Sequence, residues 1–203
     1  GTFLGEGTVC TPNPCSGACC VSTTCTNTTQ AGCTGVWHQY LSCASEGGTF
    51  YCPPDNDNCT AVTPVVMEPS TPVTFDGNNL GATMDCAADT KPEVWHAVTL
   101  PSSSSFFDVF LDFCATDPPF GLVSTVFRTG CPCSGATGAG TVNWTDCGNN
   151  NAMIVWTGLA GGSTLYYPVL LDAANNAAGP YSIKISCEPA YCASSATSTA
   201  DEN

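Results

Sequence analysis

Residues 106–114 read FFDVFLDFC, and this stretch decides the fold class. Apolar side chains occupy every second position of it, at Phe107, Val109, Leu111 and Phe113. Asp108 and Asp112 fall between them. A period of two is typical of a β-strand with one face in a core and the other toward solvent. The stretch therefore predicts a strand of a packed β-sheet.

Similar segments follow at short intervals, separated by Gly, Pro and Asn: PEVWHAVTL at 92–100, AMIVWTGL at 152–159, TLYYPVLL at 164–171 and GPYSIKISC at 179–187. No stretch has convincing helical periodicity. Several short strands at this spacing predict an all-β fold, a β-sandwich of jelly-roll or Greek-key type. Its predicted core residues are Val94, Val98, Val109, Leu111, Phe113, Val155, Leu171, Ile183 and Ile185.

The chain is rich in cysteine, with 16 in 203 residues. An even, high number is typical of disulfides formed outside the cell, so we expect a secreted protein in which all are bridged, on the exterior or at the cell surface. Zinc is the alternative, but the spacings do not match a paired zinc pattern. The expected disulfide residues are Cys10, Cys15, Cys19, Cys20, Cys25, Cys33, Cys43, Cys52, Cys59, Cys86, Cys114, Cys131, Cys133, Cys147, Cys187 and Cys192.

The cysteines also suggest a division of the chain. Residues 1–54 have no lasting apolar periodicity, so we expect a small disulfide-stapled module there. The run PPDNDNC at 53–59 is typical of a linker. Residues 55–192 are predicted to form the sandwich, and 193–203 a Ser/Thr-rich tail. Within the sandwich, proximity along the chain favours Cys114–Cys131 and Cys133–Cys147 bridges, although many pairings remain open. The chain begins without Met or a signal peptide, so we expect an export signal to have been removed.

The net charge of the chain argues against two classes of binding partner. The chain has 17 acidic residues against three basic ones, Lys91, Arg128 and Lys184. Binding to nucleic acid or to anionic membranes needs several basic residues on one face, so neither is expected. No apolar run approaches the roughly 18 residues of a membrane-spanning segment, which argues against membrane insertion.

Residues 55–187 resemble bacterial pre-peptidase C-terminal domains. The resemblance rests on TFDGNNLGATMD at 74–85, PEVWHAVTL, FFDVFLDFC, FGLVSTVFRTGC at 120–131 and the closing GPYSIKISC. The N-terminal GACC and GVW motifs are similar to cysteine-rich repeats of planctomycete type that precede such domains in large secreted proteins. The resemblance implies a non-catalytic sandwich used for display, attachment or assembly.

No catalytic constellation stands out. His38 and His96 are the two histidines, and neither belongs to a nucleophile elbow or a zinc-protease motif. Asp108 and Asp112 would lie about 13 Å apart along one strand, beyond the roughly 5–9.5 Å of glycosidase carboxylates. We therefore expect no enzyme activity.

Two kinds of candidate site remain. Asp55 and Asp57 lie in the oxygen-rich run DNDN, which predicts either a polar linker or a calcium site. No other cofactor is expected. The sequons at Asn27, Asn58 and Asn143 are candidate glycosylation sites.

The preferred functional hypothesis is a structural or adhesive extracellular protein that assembles with copies of itself into a filament or matrix. The alternative is a display module of a larger secreted hydrolase or adhesin that binds glycans or extracellular matrix. A row of exposed aromatic side chains would favour the alternative.

Overall fold

The computed structural model describes residues 16–85, 91–120, 127–131 and 142–190, and for 142–144 it describes the backbone alone. Several predicted sites lie outside these residues: Cys10, Cys15, Cys86, Cys133, Cys192, the side chain of Asn143 and the tail 193–203.

The described chain is all-β, as predicted. Its N-terminal part forms three strands, β1 (Ser16–Val21), β2 (Thr24–Thr29) and β3 (Val36–Gln39), which pair antiparallel in the order β2-β1-β3. We call this the small sheet. Short 3-10 turns occur at Gln30–Gly32, Ala44–Glu46, Cys59–Ala61 and Ala173–Asn175, and there is no α-helix within the described ranges.

The remaining strands form a two-layer sandwich. They are β4 (Val65–Val66), β5 (Val73–Asn78), β6 (Glu93–Thr99), β7 (Phe106–Asp112), β8 (Val142–Asp146), β9 (Ala152–Ala160), β10 (Thr164–Leu170) and β11 (Pro180–Pro189). One layer has the order β10-β6-β4 and the other β5-β11-β7-β9-β8. Apart from the parallel pair β4 and β6, all pairs are antiparallel. The chain crosses between the layers repeatedly, in agreement with the predicted fold class.

The core lies between the two layers and follows the alternation seen in the sequence. In β7 and β11 the inward side chains are fully buried, with Leu111 opposite Ile185 and Val109 opposite Cys187. From the other layer, Val94 and Val98 pack against the same cluster. Burial of these apolar groups is the main source of stability for such a sandwich.

Two residues depart from the predicted core. Val155 lies on the outer side of β9 and is half-buried, because Ala152, Ile154 and Trp156 occupy the inner face. The prediction for Val155 was therefore wrong by one residue of register. Leu171 is only half-buried and packs at the edge of the core.

Five disulfides hold the described chain, and three of them lie within residues 16–54. Those three are Cys19–Cys33, Cys20–Cys52 and Cys25–Cys43. They surround the small sheet, which contributes few large apolar side chains to a core, so cross-links supply much of its order.

The two sandwich bridges differ from those favoured by proximity along the chain. Cys114 pairs with Cys147, and Cys59 pairs with Cys131. Cys114 and Cys147 follow β7 and β8, the two strands that flank the start of β9, so the sheet brings them together. The predicted pairs Cys114–Cys131 and Cys133–Cys147 are therefore wrong.

Cys187 also departs from the expectation of full pairing. Among the described cysteines it is the one free thiol, and it is buried on the inner face of β11. Burial is the main reason that its pKa is raised to about 11, and the carboxylates of Glu188 and Glu68 add to the effect. Its role in the fold is that of a small apolar core residue.

The number of disulfides indicates in which compartment the protein resides. Five disulfides are typical of an extracellular protein, because a reducing cytosol does not maintain them. Among the described residues, no helix has the length and apolar character needed to cross a bilayer.

Candidate functional site

A cleft of about 800 Å³ lies where the small sheet meets the sandwich. Its walls come from the β1–β2 turn, the segment around residues 44–56 and the end of β5. The lining side chains include Thr23, Thr24, Phe50, Tyr51, Asp55 and Asn78. Aromatic, hydroxyl, amide and carboxylate groups are thus presented together in a volume typical of ligand sites.

The walls of the cleft are held by covalent and polar contacts. The Cys20–Cys52 bridge ties the end of β1 to the lining segment. The Ser22 hydroxyl donates to Asp55 Oδ1 at 2.6 Å and links the β1–β2 turn to the start of the sandwich segment. Gly81 lies so close to Cys52 that a Cβ placed on it would be 2.5 Å from the Cys52 carbonyl oxygen. The two walls therefore form a close, fixed junction.

Asn56 lines the cleft and also hydrogen-bonds to residues of the sandwich. Its backbone carbonyl accepts from the Trp95 amide at 2.8 Å, and its side-chain Nδ2 donates to the Trp95 carbonyl at 3.0 Å. The same Nδ2 lies 3.3 Å from Tyr181 Oη. Through its hydrogen bonds to Trp95, Asn56 holds the segment that lines the cleft against β6.

The network ends at a buried histidine. Tyr181 Oη lies 2.8 Å from His96 Nε2. Burial lowers the pKa of His96 to about 4 and raises the pKa of Tyr181 to about 12. Both groups are therefore neutral at physiological pH, and their hydrogen bond satisfies two polar groups inside the sandwich.

The histidines do not form a catalytic pair in the described chain. Neither His96 nor His38 hydrogen-bonds to a serine, threonine, cysteine or carboxylate side chain there. His38 instead packs against Phe50, with 4.7 Å between ring centroids. Asp108 accepts from the Gly158 amide at 3.0 Å, and Asp112 pairs with Lys184 at 3.4 Å. These groups have structural partners.

The candidate calcium ligands are also used within the protein. Besides the Ser22 contact of Asp55, both oxygens of Asp57 accept from Thr83, one from its amide and one from its hydroxyl. Asp55 and Asp57 do not belong to any group of three close potential ligands in the described residues. Two other groups of three close side chains occur there, Cys20/Cys25/Cys52 and Asp112/Cys114/Cys147. Their sulfurs are in disulfides, so they offer no thiolate to a metal ion.

The sequons differ in how their asparagines are engaged. Asn27 Oδ1 accepts from the Cys43 amide and its Nδ2 donates to Ser42 Oγ, each at 2.9 Å. Asn58 is exposed, and its Oδ1 accepts from the amide and hydroxyl of Thr60. Asn143 lies in β8, opposite Val155.

Sequence reasoning missed the cleft and its principal side chains. Tyr51 belongs to a segment without a motif, and Asn78 to the stretch 74–85, which suggested a family resemblance but no binding site. Both residues line the cleft only because the small sheet docks on the sandwich. The one usable signal was the aromatic pair Phe50–Tyr51 directly before the linker.

Comparison with protein-family models, curated proteins and solved structures finds no match to this chain. The resemblance to pre-peptidase C-terminal domains therefore stays a prediction.

Proposed function

We propose that this chain is a non-catalytic extracellular adhesive module, displayed as part of a secreted or cell-surface protein, that binds its ligand in the cleft. The observation that carries the proposal is the fixed junction around Ser22, Cys52, Asp55 and Gly81. A site whose walls are held in place before the ligand arrives loses little conformational entropy on binding.

The histidine environment supports a binding role over catalysis. A general base works best with a pKa near the operating pH, whereas that of His96 is lowered to about 4 by burial. His96 is buried and is not among the described residues that line the cleft.

The test is to fill the cleft and measure attachment. Ser45→Trp places a bulky ring at an exposed lining position, and Thr26→Trp, at an exposed position of β2 outside the lining, is the matched control. Surfaces coated with neutral polysaccharides, sulfated polysaccharides and collagen serve as probes. We expect wild type and Thr26→Trp to attach to at least one surface and Ser45→Trp to lose at least tenfold in affinity. Equal attachment of all three proteins, or none by wild type, contradicts the proposal.

Self-assembly is the second candidate, and the exposed edge of the small sheet favours it. Within the described chain, β3 pairs only with β1, and Val36 on this edge strand is 62% exposed. Tyr40 and Leu41, which follow β3, are exposed as well. An open strand edge with apolar side chains is a site for pairing with another chain. Contact of this edge with another copy's sandwich would be heterologous and would propagate into a filament.

Sedimentation and electron microscopy test the assembly. We expect the purified protein to form concentration-dependent oligomers or fibres, and Val36→Lys to suppress them. Met84→Lys, at a similarly exposed apolar side chain outside the strands, is the control and leaves assembly unchanged. A monomer at all concentrations, or equal suppression by both substitutions, rules out this edge as the assembly surface.

A further inference from the structure

We infer that the cleft binds a neutral oligosaccharide segment, with Tyr51 as the platform for a sugar ring and Asn78 and Asp55 as hydrogen-bond partners for its hydroxyls. This inference rests on the proposed function and adds the class of ligand.

The stacking platform is the first element. Tyr51 lines the cleft and is 46% exposed, so its ring is accessible to a ligand. The adjacent Phe50 lines the same cleft, and its ring packs against the ring of His38. The C–H faces of a pyranose ring are apolar, and an exposed, supported aromatic wall offers them a matching surface.

Unused hydrogen-bonding capacity is the second element. Asn78 Oδ1 accepts from the Leu80 amide at 2.9 Å, which fixes the orientation of the side chain. Asn78 Nδ2 then has no hydrogen-bond partner among the described residues and remains a donor at the cleft. Asp55 uses Oδ1 for Ser22 and keeps Oδ2 as an acceptor. A sugar hydroxyl both donates and accepts, so a donor and an acceptor in one cleft complement it.

The charges of the cleft and of the whole chain distinguish between classes of ligand. Among the lining residues that the structure describes, Asp55 is the one charged side chain and none is basic. The chain as a whole carries a formal charge of −14. Phosphorylated or sulfated ligands would therefore be repelled. A cationic peptide would meet one carboxylate that already accepts from Ser22, whereas the other lining groups are hydroxyl, amide and aromatic. The chemistry thus fits an uncharged polyhydroxyl ligand better.

Titration calorimetry with defined probes tests this inference. The neutral probes are β-1,4-linked hexasaccharides of glucose, of mannose and of N-acetylglucosamine. The charged probes are a sulfated heparin hexasaccharide and hexalysine. We expect at least one neutral probe to bind with an affinity that 0.5 M NaCl does not change, and neither charged probe to bind more tightly.

Variants locate the binding. Tyr51→Ala should weaken the neutral probe at least tenfold and Asn78→Ala at least threefold. Tyr40→Ala is the matched control, since Tyr40 is an even more exposed tyrosine (73%) outside the lining, and it should bind as wild type does. If Tyr51→Ala fails to fold by circular dichroism, Tyr51→Leu keeps an apolar side chain at that position and removes only the aromatic ring.

Three calorimetric results overturn the inference: no neutral probe binds, binding survives both the Tyr51 and the Asn78 substitution, or hexalysine alone binds and is lost in Asp55→Asn. The last result would leave the proposed adhesive function intact, because the cleft would still be the binding site. Cleft-dependent attachment to collagen alone in the surface assay would likewise overturn the oligosaccharide and keep the function.

Discussion

Tyr181 Oη lies 2.8 Å from His96 Nε2 inside the sandwich, and it also accepts from Asn56, which lines the cleft. Tyr181 belongs to β11 in one layer and His96 to β6 in the other, so this hydrogen bond joins the two sheets. Gly77, opposite Tyr181 on β5, leaves room for the phenol: a Cβ there would lie 2.4 Å from Tyr181 Oη. The polar network and the packing around it are therefore mutually dependent.

The buried histidine should make stability depend on pH. His96 has a pKa of about 4 in the folded chain and about 6.5 when unfolded. Between these values the unfolded state binds more protons, so stability is full above pH 6.5 and falls as pH decreases toward 4. The loss amounts to about 3 kcal/mol. Urea unfolding at pH 7 and pH 4.5 measures about 2 kcal/mol of this loss.

Substitution of each histidine distinguishes the pH dependence caused by His96 from that caused by the titration of carboxylates. His96→Gln should lower stability at pH 7 and flatten the dependence between pH 6.5 and 4.5. His38→Gln, at the histidine outside the sandwich, should keep the wild-type slope. Identical slopes for wild type and His96→Gln would show that His96 does not cause the pH dependence.

Gly81 should be essential to the junction between the small sheet and the sandwich. Its φ of +85° disfavours other residues, and a Cβ would contact the Cys52 carbonyl. Gly81→Ala should therefore lower the free energy of unfolding by about 2–3 kcal/mol. Gly148→Ala is the matched control, because Gly148 has a φ of +81° and nothing within 4 Å of a Cβ.

Comparison with Gly148→Ala separates the cost of the close approach to Cys52 from the cost of the backbone conformation. Gly148→Ala should cost about 1 kcal/mol, the conformational penalty alone. The additional loss in Gly81→Ala then measures the close approach to Cys52. Denaturant midpoints that are equal for the two variants would mean that the junction relaxes without cost.

The fold class was predictable because the strands that carry most of the core alternate cleanly. In β11, Tyr181, Ile183 and Ile185 are separated by polar side chains, so the sequence shows which face is buried. In β9, AMIVWTGL is apolar on both faces, and alternation cannot choose between Val155 and Ile154. The register there is set by pairing with β7 and β8, which is tertiary information.

The cleft and the disulfide pairs could not be predicted from local sequence, because both depend on tertiary structure. Cys114 and Cys147 meet because β9 lies between the strands that precede them. Tyr51 and Asn78 meet because Asn56 docks the lining segment on β6 and Gly81 permits the close approach. Local sequence patterns carry neither relationship.

The free thiol of Cys187 should be inert in the folded protein. It is fully buried, and its pKa is raised to about 11, chiefly by burial, so almost no thiolate exists at pH 8. Iodoacetamide at pH 8 should leave Cys187 unmodified in the native protein and modify it in denaturant without reductant. Cys114 and Cys147 should react only after reduction. Peptide mapping that found Cys187 in a disulfide would contradict the free thiol and restore the expectation of full pairing.

Glycosylation should discriminate between the sequons at Asn58 and Asn27. The Asn58 side chain is exposed and its Nδ2 has no hydrogen-bond partner in the described residues, so a glycan projects into solvent. Asn27 Nδ2 instead donates to Ser42, and Oδ1 of the same side chain accepts from the Cys43 amide, next to the Cys25–Cys43 bridge. A glycan on Asn27 would replace one Nδ2 hydrogen and compete for space with Ser42 and Cys43.

In a host that N-glycosylates secreted proteins, chains modified at Asn27 should therefore fail to close the small sheet and be retained. Glycopeptide mass spectrometry of the secreted, bridged protein should find sugar on Asn58 and none on Asn27. Thr60→Ala removes the Asn58 sequon and is the control that assigns the signal. Occupancy of Asn27 in secreted protein with an intact Cys25–Cys43 bridge would show that the small sheet tolerates loss of the Asn27 contacts, and that these hydrogen bonds do not determine its closure.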